Sequence, residues 1–329
     1  MPSLPNIGDV HSNSREALLA VAYMQTQSMF FTPRVAPFNP VRNKTNEYEI
    51  YSRADMNRDE VGKRPPGGKF PLGGFRVGTG TYSCQNYAYA ELIPDEILAN
   101  ADNPSMYERA KVHAVVNKHL IALDRAFATD CFTTGVWGTD LSPGDKWDDE
   151  TSGDPLGDVD TAICELKKVG APGIRWVGLT SCDVFNTIKR RADVTDGFKH
   201  VTAAASNLTP ALVAQAMGLD DLIVGESVFN SANETDPAGG VNDDSVDSFI
   251  LSADNFLVLG VSEIQAEGQP TAVRTHVWNE VSDMGLNGTI STRRIRLDDC
   301  KADQIDAEMY WDINKCCAEL GYMLNDVLP

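Results

Sequence analysis

About thirty residues rich in glycine and proline lie between two strand-like segments of this 329-residue chain. The segment 47–51 alternates polar and apolar residues, as a half-buried strand does, and strand-like sequence resumes at Thr81. A loop of this length within a compact domain is either functional or disordered. The sequence therefore predicts a hairpin-like excursion with a long irregular segment between its two strands.

The irregular segment carries a local positive charge. Its charged residues within 61–76 are Lys63, Arg64, Lys69 and Arg76, with no acid among them. The whole chain has a net charge of −19, so this tip is unlike its surroundings. An exposed basic tip on an acidic protein has another copy of that protein as its natural partner. We predict that these four residues form a subunit-interface site.

The first forty residues resemble an extended arm, because five prolines within them prevent continuous helix or sheet. One short helix is expected near 15–29. Such an arm cannot bury enough surface alone, so we expect a neighbouring subunit to hold it.

A long amphipathic helix is predicted over 104–132. Asp102 and Asn103 supply an N-cap, and Pro104 suits the first helical position. At 1.5 Å per residue the helix would span on the order of 40 Å. Its predicted apolar stripe comprises Val112, Val116, Leu120, Leu123 and Phe127.

The remainder predicts an α/β lobe followed by a strand region. Helices are expected at 158–169 and 183–191 and from 209 onward, and strands at 175–179, 222–225 and 249–259. A final strand is indicated by the alternation of Ile305, Ala307, Met309, Trp311 and Ile313.

Motifs of catalysis and of cofactor or metal binding are missing. The closest approach to a phosphate-binding loop, from Gly62 to Lys69, fails in spacing and ends in Phe70. There is no GxSxG elbow and no CxxC pair among seven cysteines, which we expect to be reduced. His113 and His119 would lie about 240° apart on one helix, so they cannot chelate one ion. We expect no catalytic, cofactor or metal residues.

The charge and hydropathy limit the partners. A net charge of −19 disfavours a protein that grips nucleic acid, but it suits a wall that encloses DNA without adhering to it. No uninterrupted apolar run approaches the roughly 18 residues of a membrane span. We therefore expect no membrane partner and assembly in a cytoplasm.

Several short stretches carry a family resemblance that extends over nearly the whole chain. They are Ile93-Pro94, 100–104, 132–137, Trp147-Asp148, Pro155 with Asp158, 222–226, 294–297, 301–303 and 320–322. In these stretches, and in the order of its parts, the chain resembles the major capsid proteins of tailed bacteriophages. Their Hong-Kong-97-type fold is also used by encapsulin shells.

The resemblance implies an α+β fold with named parts. These are an N-terminal arm (1–40), an extended E-loop (41–92), a peripheral domain with a long spine helix (93–150 and 275–315) and an axial α/β domain (151–274 and 316–329). The basic tip of the E-loop would reach over the adjacent subunit.

The function implied by the resemblance is structural. Identical subunits would form pentamers and hexamers of an icosahedral head, the virion shell around double-stranded DNA, joined by a portal protein and by decoration proteins where these exist. No long charged leader precedes the arm, so we expect no built-in scaffold segment, and the resemblance leaves room for a separate scaffolding protein. No catalysis is implied.

Two other functions remain open. One is an encapsulin-like compartment that holds protein cargo, and the other is a soluble α/β enzyme whose acidic loops, at 140–160 and 234–247, line a site. A nucleic-acid-binding module is disfavoured by charge. Arg293, Arg294 and Arg296 could contact DNA, but such a cluster more often pairs with nearby acids, here Asp298 and Asp299.

Overall fold

The computed structural model describes Gln25 and residues 27–101, 104–171, 173–198, 208–231, 247–262, 270–278 and 290–329. Within them the chain forms two five-stranded sheets and two separate two-stranded hairpins. The α+β class predicted from the sequence is confirmed. Most of the predicted arm helix at 15–29, the predicted N-cap at 102–103 and most of the acidic loop at 234–247 lie outside the described residues.

The first sheet, called the outer sheet, is built on one long strand. This strand, β13 (Ala302–Lys315), buries alternate residues from Ile305 to Trp311, as the sequence predicts, because successive side chains of a strand face opposite ways. One edge of β13 pairs with β4, and its other edge pairs first with β12 and then with β11, which also pairs with β1. The partner strands are β1 (Phe38–Val41), β4 (Gln85–Pro94), β11 (Val273–Trp278) and β12 (Ser291–Leu297).

The predicted long helix is confirmed at Pro104–Cys131 and lies against β4 and β13. Among the described residues it follows three shorter helices, so we call it α4; the three are α1 (Thr32–Val35), α2 (Arg53–Met56) and α3 (Asp95–Asn100). The 28 residues of α4 give a length of about 42 Å.

The predicted apolar stripe of α4 is correct only in its second half. Leu123 and Phe127 are buried, whereas Val112, Val116 and Leu120 are partly exposed. Four residues turn a helix by 400°, so a line of every fourth residue advances about 40° at each step. The buried line therefore winds around α4 as the helix passes from the outer sheet to the lobe. It comprises Val115, His119, Leu123, Phe127 and Cys131.

The described part of the arm contacts its own subunit, and the expectation that a neighbouring subunit also holds the arm stays a prediction. β1 extends the outer sheet by parallel pairing with β11. The fully buried Asp124 of α4 accepts the backbone N–H groups of Phe31 (3.2 Å) and Thr32 (3.0 Å), where α1 begins. The Gln25 side chain exchanges two hydrogen bonds, of 2.6 and 2.9 Å, with the backbone of Val228.

The second sheet, called the lobe sheet, has the strand order β5–β14–β10–β6–β7. Every residue of β10 is buried, as befits a central strand that is covered on both faces. The last strand of the chain, β14, pairs with β10, so the carboxyl end returns to the lobe. The strands are β5 (Thr139–Leu141), β6 (Ile174–Ser181), β7 (Asp221–Gly225), β10 (Phe256–Ser262) and β14 (Gly321–Leu324).

The helices and strands predicted for the lobe are found within a few residues of their expected positions. The exception is the strand predicted at 249–259, which is two strands separated by a polar turn. Asn255 and the carbonyl of Asp254 hold the chain end through Asp326 and Val327, so the turn cannot continue the strand. The remaining elements are α5 (Pro155–Lys167), α6 (Cys182–Ile188), α7 (Ala192–Phe198), α8 (Pro210–Ala216), β8 (Val228–Asn230) and β9 (Asp247–Phe249).

The Asp124 contact predicts a stability effect. Asp124→Ala leaves two buried backbone N–H groups without an acceptor, so the free energy of unfolding should fall by about 2–3 kcal/mol. Asp124→Asn is the matched control, because it keeps an acceptor oxygen and should lose less. Urea unfolding followed by circular dichroism measures both variants. An alanine variant as stable as the asparagine variant would contradict the role of this contact.

Candidate functional site

The predicted excursion is a regular antiparallel hairpin with an irregular end. Strands β2 (Thr45–Tyr51) and β3 (Val77–Ser83) pair along their full length and enclose residues 52–76. A side chain at Gly80 would collide with the ring of Tyr48, at 2.4 Å, so glycine is required for this close approach. We call β2, β3 and residues 52–76 the long hairpin.

An ion pair closes the irregular segment where it leaves the strands. The Asp55 carboxylate accepts the backbone N–H of Arg76 at 3.1 Å and its guanidinium Nε–H at 3.0 Å. The Arg76 hydrogen bonds lower the pKa of Asp55 to about 2. The pKa is lowered in the folded state, so the ion pair contributes its full stability above the ordinary pKa of an aspartate. That contribution is lost as the pH falls through about 2.

The four predicted interface cations therefore divide into two groups. Arg76 is engaged within its own loop, which is a refinement of the sequence prediction. Lys63, Arg64 and Lys69 are exposed, and no carboxylate of the described residues lies within 4.0 Å of them. The sequence could not separate the two groups, because Asp55 lies outside the segment in which the charge was counted.

The tip between these cations is ordered by a turn. The N–H of Gly68 donates to the carbonyl of Pro65 at 3.0 Å, and Gly67 has φ +78°, a backbone conformation that favours glycine. The Arg64 guanidinium lies over the Phe70 ring, 4.2 Å from its centroid. The tip thus presents a basic and apolar surface of defined shape.

Exposed apolar side chains are concentrated on the long hairpin. Of twelve large apolar side chains that are exposed among the described residues, eight lie between Ile50 and Val77. Leu72 is 97% exposed and Val61 is 93% exposed. An isolated subunit leaves this surface in water, and exposed apolar patches of this kind mark interaction surfaces.

The backbone of the acidic segment at 140–160 is fixed by hydrogen bonds to a buried arginine. The Arg191 guanidinium donates to the backbone carbonyls of Trp147 (2.7 Å), Asp149 (2.9 Å) and Gly153 (2.5 Å). These bonds fix the loop backbone, while the side chains of Asp148 and its acidic neighbours remain exposed. The segment is therefore a shaped acidic surface of the lobe.

The arginine cluster of β12 pairs with acids, as predicted, but mostly with other acids than predicted. Arg293 pairs with Asp306 (3.2 Å), and Arg294 reaches Glu108 (3.2 Å) as well as Asp303. Arg296 also binds Asp303, reaches Asp95 at 2.5 Å and lies 3.7 Å from Asp298, the predicted partner. Asp299, the other predicted partner, makes no ion pair with these arginines. The cluster joins β12 and β13 to α3 and α4.

The base of the long hairpin rests on the outer sheet through a buried histidine that the sequence did not single out. His276 of β11 stacks on Tyr82, with ring centroids 4.5 Å apart, and Tyr48 lies 6.1 Å away. Around this stack the Tyr48 hydroxyl donates to Asn314 (3.1 Å), and Ser83 N–H donates to Asp312 (2.8 Å). In the sequence, the apolar residues of β11 are the only indication that His276 is buried.

His119 is the second buried histidine among the described residues, and its Nε2 lies 3.0 Å from the carbonyl oxygen of Ala307. Among the residues that the structure describes, no three His, Cys, Asp or Glu side chains are placed to share a metal ion. In the same part of the chain, no helix combines the length and the apolar character needed to cross a bilayer.

Known structures match this arrangement over most of its length. No family model and no curated protein matches the sequence. A phage-related protein from Bordetella bronchiseptica matches with a TM-score of 0.65 at 14% identity, over 94% of this chain and 96% of that chain. The capsid of cyanophage P-SCSP1u matches with a TM-score of 0.56 at 11% identity, over 88% and 86%.

An encapsulin complex from Synechococcus elongatus matches with a TM-score of 0.56 at 12% identity, over 97% of each chain. The chain has the Hong-Kong-97-type capsid fold. The assignment of the long hairpin to the E-loop and of α4 to the spine helix stays a prediction from the resemblance. The domain boundaries given above stay a prediction.

The Asp55–Arg76 contact predicts a local effect on the long hairpin. Asp55→Asn removes the charge that holds Arg76, so the segment 52–76 should open more often, and trypsin should cleave after Lys63 and Lys69 about threefold faster or more. Asp59→Asn is the matched control, because Asp59 accepts only the nearby N–H of Val61. Equal cleavage rates in both variants would show that the contact does not order the loop.

Proposed function

We propose that this chain is the major capsid protein of a tailed phage, a structural subunit of the icosahedral head that encloses double-stranded DNA. The observation that carries the proposal is the combination of a capsid-type fold over most of the chain with a long hairpin whose apolar tip is exposed among the described residues. A surface of this kind is stable only when a partner covers it, and a shell supplies identical partners on every side.

The tip supplies two different forces. Burying a side chain such as Leu72 or Val61 against a neighbour contributes roughly 1.5–3 kcal/mol. Lys63, Arg64 and Lys69 contribute mainly through steering and orientation, because exposed charge pairs are weak and screened by salt. Burial of the apolar side chains therefore provides most of the binding free energy. The cations orient the tip toward an acidic surface of the neighbouring subunit.

The charge of the remaining surface fits a container. A subunit at −19 repels both its copies and DNA, so assembly depends on salt and the enclosed DNA does not adhere to the wall. In this proposal the subunits form pentamers and hexamers in the host cytoplasm and meet a portal protein. A separate scaffolding protein and decoration proteins are further partners, and neither catalysis nor a membrane is involved.

An encapsulin-like compartment is the second candidate, because an encapsulin matches as well as a phage capsid does. Both functions need the same shell and differ in its contents. A head contains DNA, and a compartment contains a protein cargo.

The first experiment is to express the intact chain and to image it by negative-stain electron microscopy after size-exclusion chromatography. Closed shells, or rings of five and six subunits, support the proposal. A chain that stays monomeric or dimeric, also with the scaffolding protein encoded beside it, overturns it. Nuclease treatment and mass spectrometry of particles from the native source then separate enclosed DNA from protein cargo.

The charge contribution is tested by reversing it. The triple variant Lys63→Glu, Arg64→Glu and Lys69→Glu should weaken assembly, with the largest deficit at low salt, while the subunit stays folded. The matched control is Lys63→Arg with Arg64→Lys and Lys69→Arg, which keeps every charge. Light scattering measures assembly, and circular dichroism measures folding. Normal assembly of the charge-reversed variant would remove the steering role.

The apolar contribution has its own test. Leu72→Ser removes an apolar side chain that has almost no contacts within its own subunit, so folding should be unchanged and the yield of shells should fall about tenfold or more. Leu72→Met keeps an apolar side chain of similar volume and should assemble normally. Equal shell yields for the two variants would show that Leu72 does not lie at an interface.

A further inference from the structure

The strand β4 forms one border of the outer sheet, and its outer edge is unpaired. The inner edge pairs with β13 over all 10 residues, from Gln85 to Pro94. No other strand among the described residues pairs with β4. An exposed edge strand presents a row of backbone N–H and C=O groups that can pair with another chain.

The register of the ladder identifies the backbone groups that face this edge. The N–H of Asp95 donates to the carbonyl of Lys301 at 3.0 Å and continues the β4–β13 ladder in the same register. Bonding alternates along an antiparallel strand, so the odd-numbered residues of β4 bond to β13 and the even-numbered residues face outward. The backbone groups of these outward residues have no hydrogen-bond partner among the described residues. The outward residues that carry an N–H are Asn86, Ala88, Ala90 and Leu92.

The outer edge of β4 has few of the features that protect edge strands from pairing. Native edge strands are usually short, charged, bulged or covered. Pro94 removes one outward N–H at the end of the strand, but the outward residues before it are uncharged, and Asn86, Ala88 and Ala90 are exposed. The register with β13 is unbroken, so no bulge turns the edge away from solvent. The edge is therefore a usable template for an added strand.

The side of this edge that faces α4 has a surplus positive charge. Lys111 binds one carboxylate oxygen of Glu91 at 2.8 Å, and Lys118 lies 3.8 Å from the other oxygen. Two lysines thus share one carboxylate among the described residues, and the Lys118 side chain is 46% exposed. A strand that pairs with β4 and places acidic side chains on this side would neutralise the remaining charge.

The opposite side of the edge has a negative charge without a partner. Glu308 of β13 lies opposite Ala88 in the ladder, is half-buried and makes no ion pair among the described residues. The small side chains of Ala88 and Ala90 leave open space beside it. Neighbouring strands lie about 4.8 Å apart, so an added strand would lie about 10 Å from β13. A long basic side chain on that strand reaches over Ala88 toward Glu308.

We propose that the outer edge of β4 binds an extended segment of a separate protein, which adds a strand to the outer sheet. This segment places acidic side chains toward α4 and basic side chains toward Glu308, so the two types alternate along it. No described strand of this chain with an unpaired edge carries both types. The strand β2 has Glu47 and Glu49 but no cation, and β12 has only cations. The proposal does not rest on the shell function.

The test uses a blocked peptide of about eight residues in which glutamate and arginine alternate. Amide hydrogen exchange is measured by NMR on the full chain, with and without the peptide. At saturation, the amides of Asn86, Ala88 and Ala90 should exchange at least about tenfold more slowly, while the amides of the odd-numbered residues of β4 stay unchanged. The same peptide methylated at every backbone nitrogen cannot donate and should not bind. Equal slowing at both sets of amides, or no slowing, would overturn the proposal.

The charge pattern is tested with a reversed acid. Glu308→Lys should weaken binding of the peptide about tenfold, because the basic side chains then meet a like charge. Glu150→Lys is the matched control, since it makes the same charge change at an exposed acid of the 140–160 segment. Equal affinities of these two variants would contradict the proposed orientation of the segment and overturn the proposal.

The backbone contact has a separate test. Ala90→Pro removes an outward N–H without removing a bond to β13, so the chain should fold and bind the peptide about tenfold more weakly. Ala90→Ser keeps the N–H and should bind normally. Circular dichroism measures folding, and wild-type affinity in a folded Ala90→Pro variant would overturn the proposal. Should this variant not fold, the exchange pattern of the wild type and the Glu308→Lys variant decide.

A second copy of this chain is the other occupant that the test can detect. Hydrogen exchange followed by mass spectrometry is measured on assembled particles of this chain alone. Slow exchange of β4 in such particles would make a second copy the occupant and overturn the proposal, whereas fast exchange supports it. Failure to form particles would count against the shell function alone and would leave the peptide measurements valid.

Discussion

The strand β13 is the element on which the outer sheet, α4 and the long hairpin depend. Its 14 residues pair with β4 along one edge and with β12 and β11 in series along the other. Its carbonyl at Ala307 holds α4 through His119, and its side chains at Asp312 and Asn314 hold the base of the long hairpin. A single extended segment thus joins the outer sheet, α4 and the long hairpin.

The buried charges of the body have hydrogen-bond partners, whereas apolar side chains of the long hairpin are exposed to solvent. In the body, buried charges such as Asp124 and Arg191 meet backbone partners and fix the arm and the acidic loop. On the long hairpin, apolar side chains such as Leu72 have no partner within their own subunit. This contrast is what an assembly subunit needs, because a folded body must form before its neighbours arrive.

Two kinds of contact govern the hairpin, and they respond to different conditions. The Asp55–Arg76 ion pair persists far into the acid range, because the pKa of Asp55 is lowered to about 2. The His276 contact belongs to milder acid, since burial lowers the pKa of that ring only to about 4.

The sequence by itself determined the local elements and the character of the tip. The helix at 104–131, the alternation of β13 and the cations of the tip follow from periodicity, capping and composition, which act between residues close in the chain. Only the tertiary structure decided the buried side of α4, the partner of the described arm, the acids that bind the arginines and the place of His276. These outcomes depend on contacts between residues far apart in sequence, such as Asn39 with His276 or Arg296 with Asp95. The local sequence pattern does not determine such pairings, because several residues with the same periodicity could serve as partners. Packing of the folded chain selects one of them.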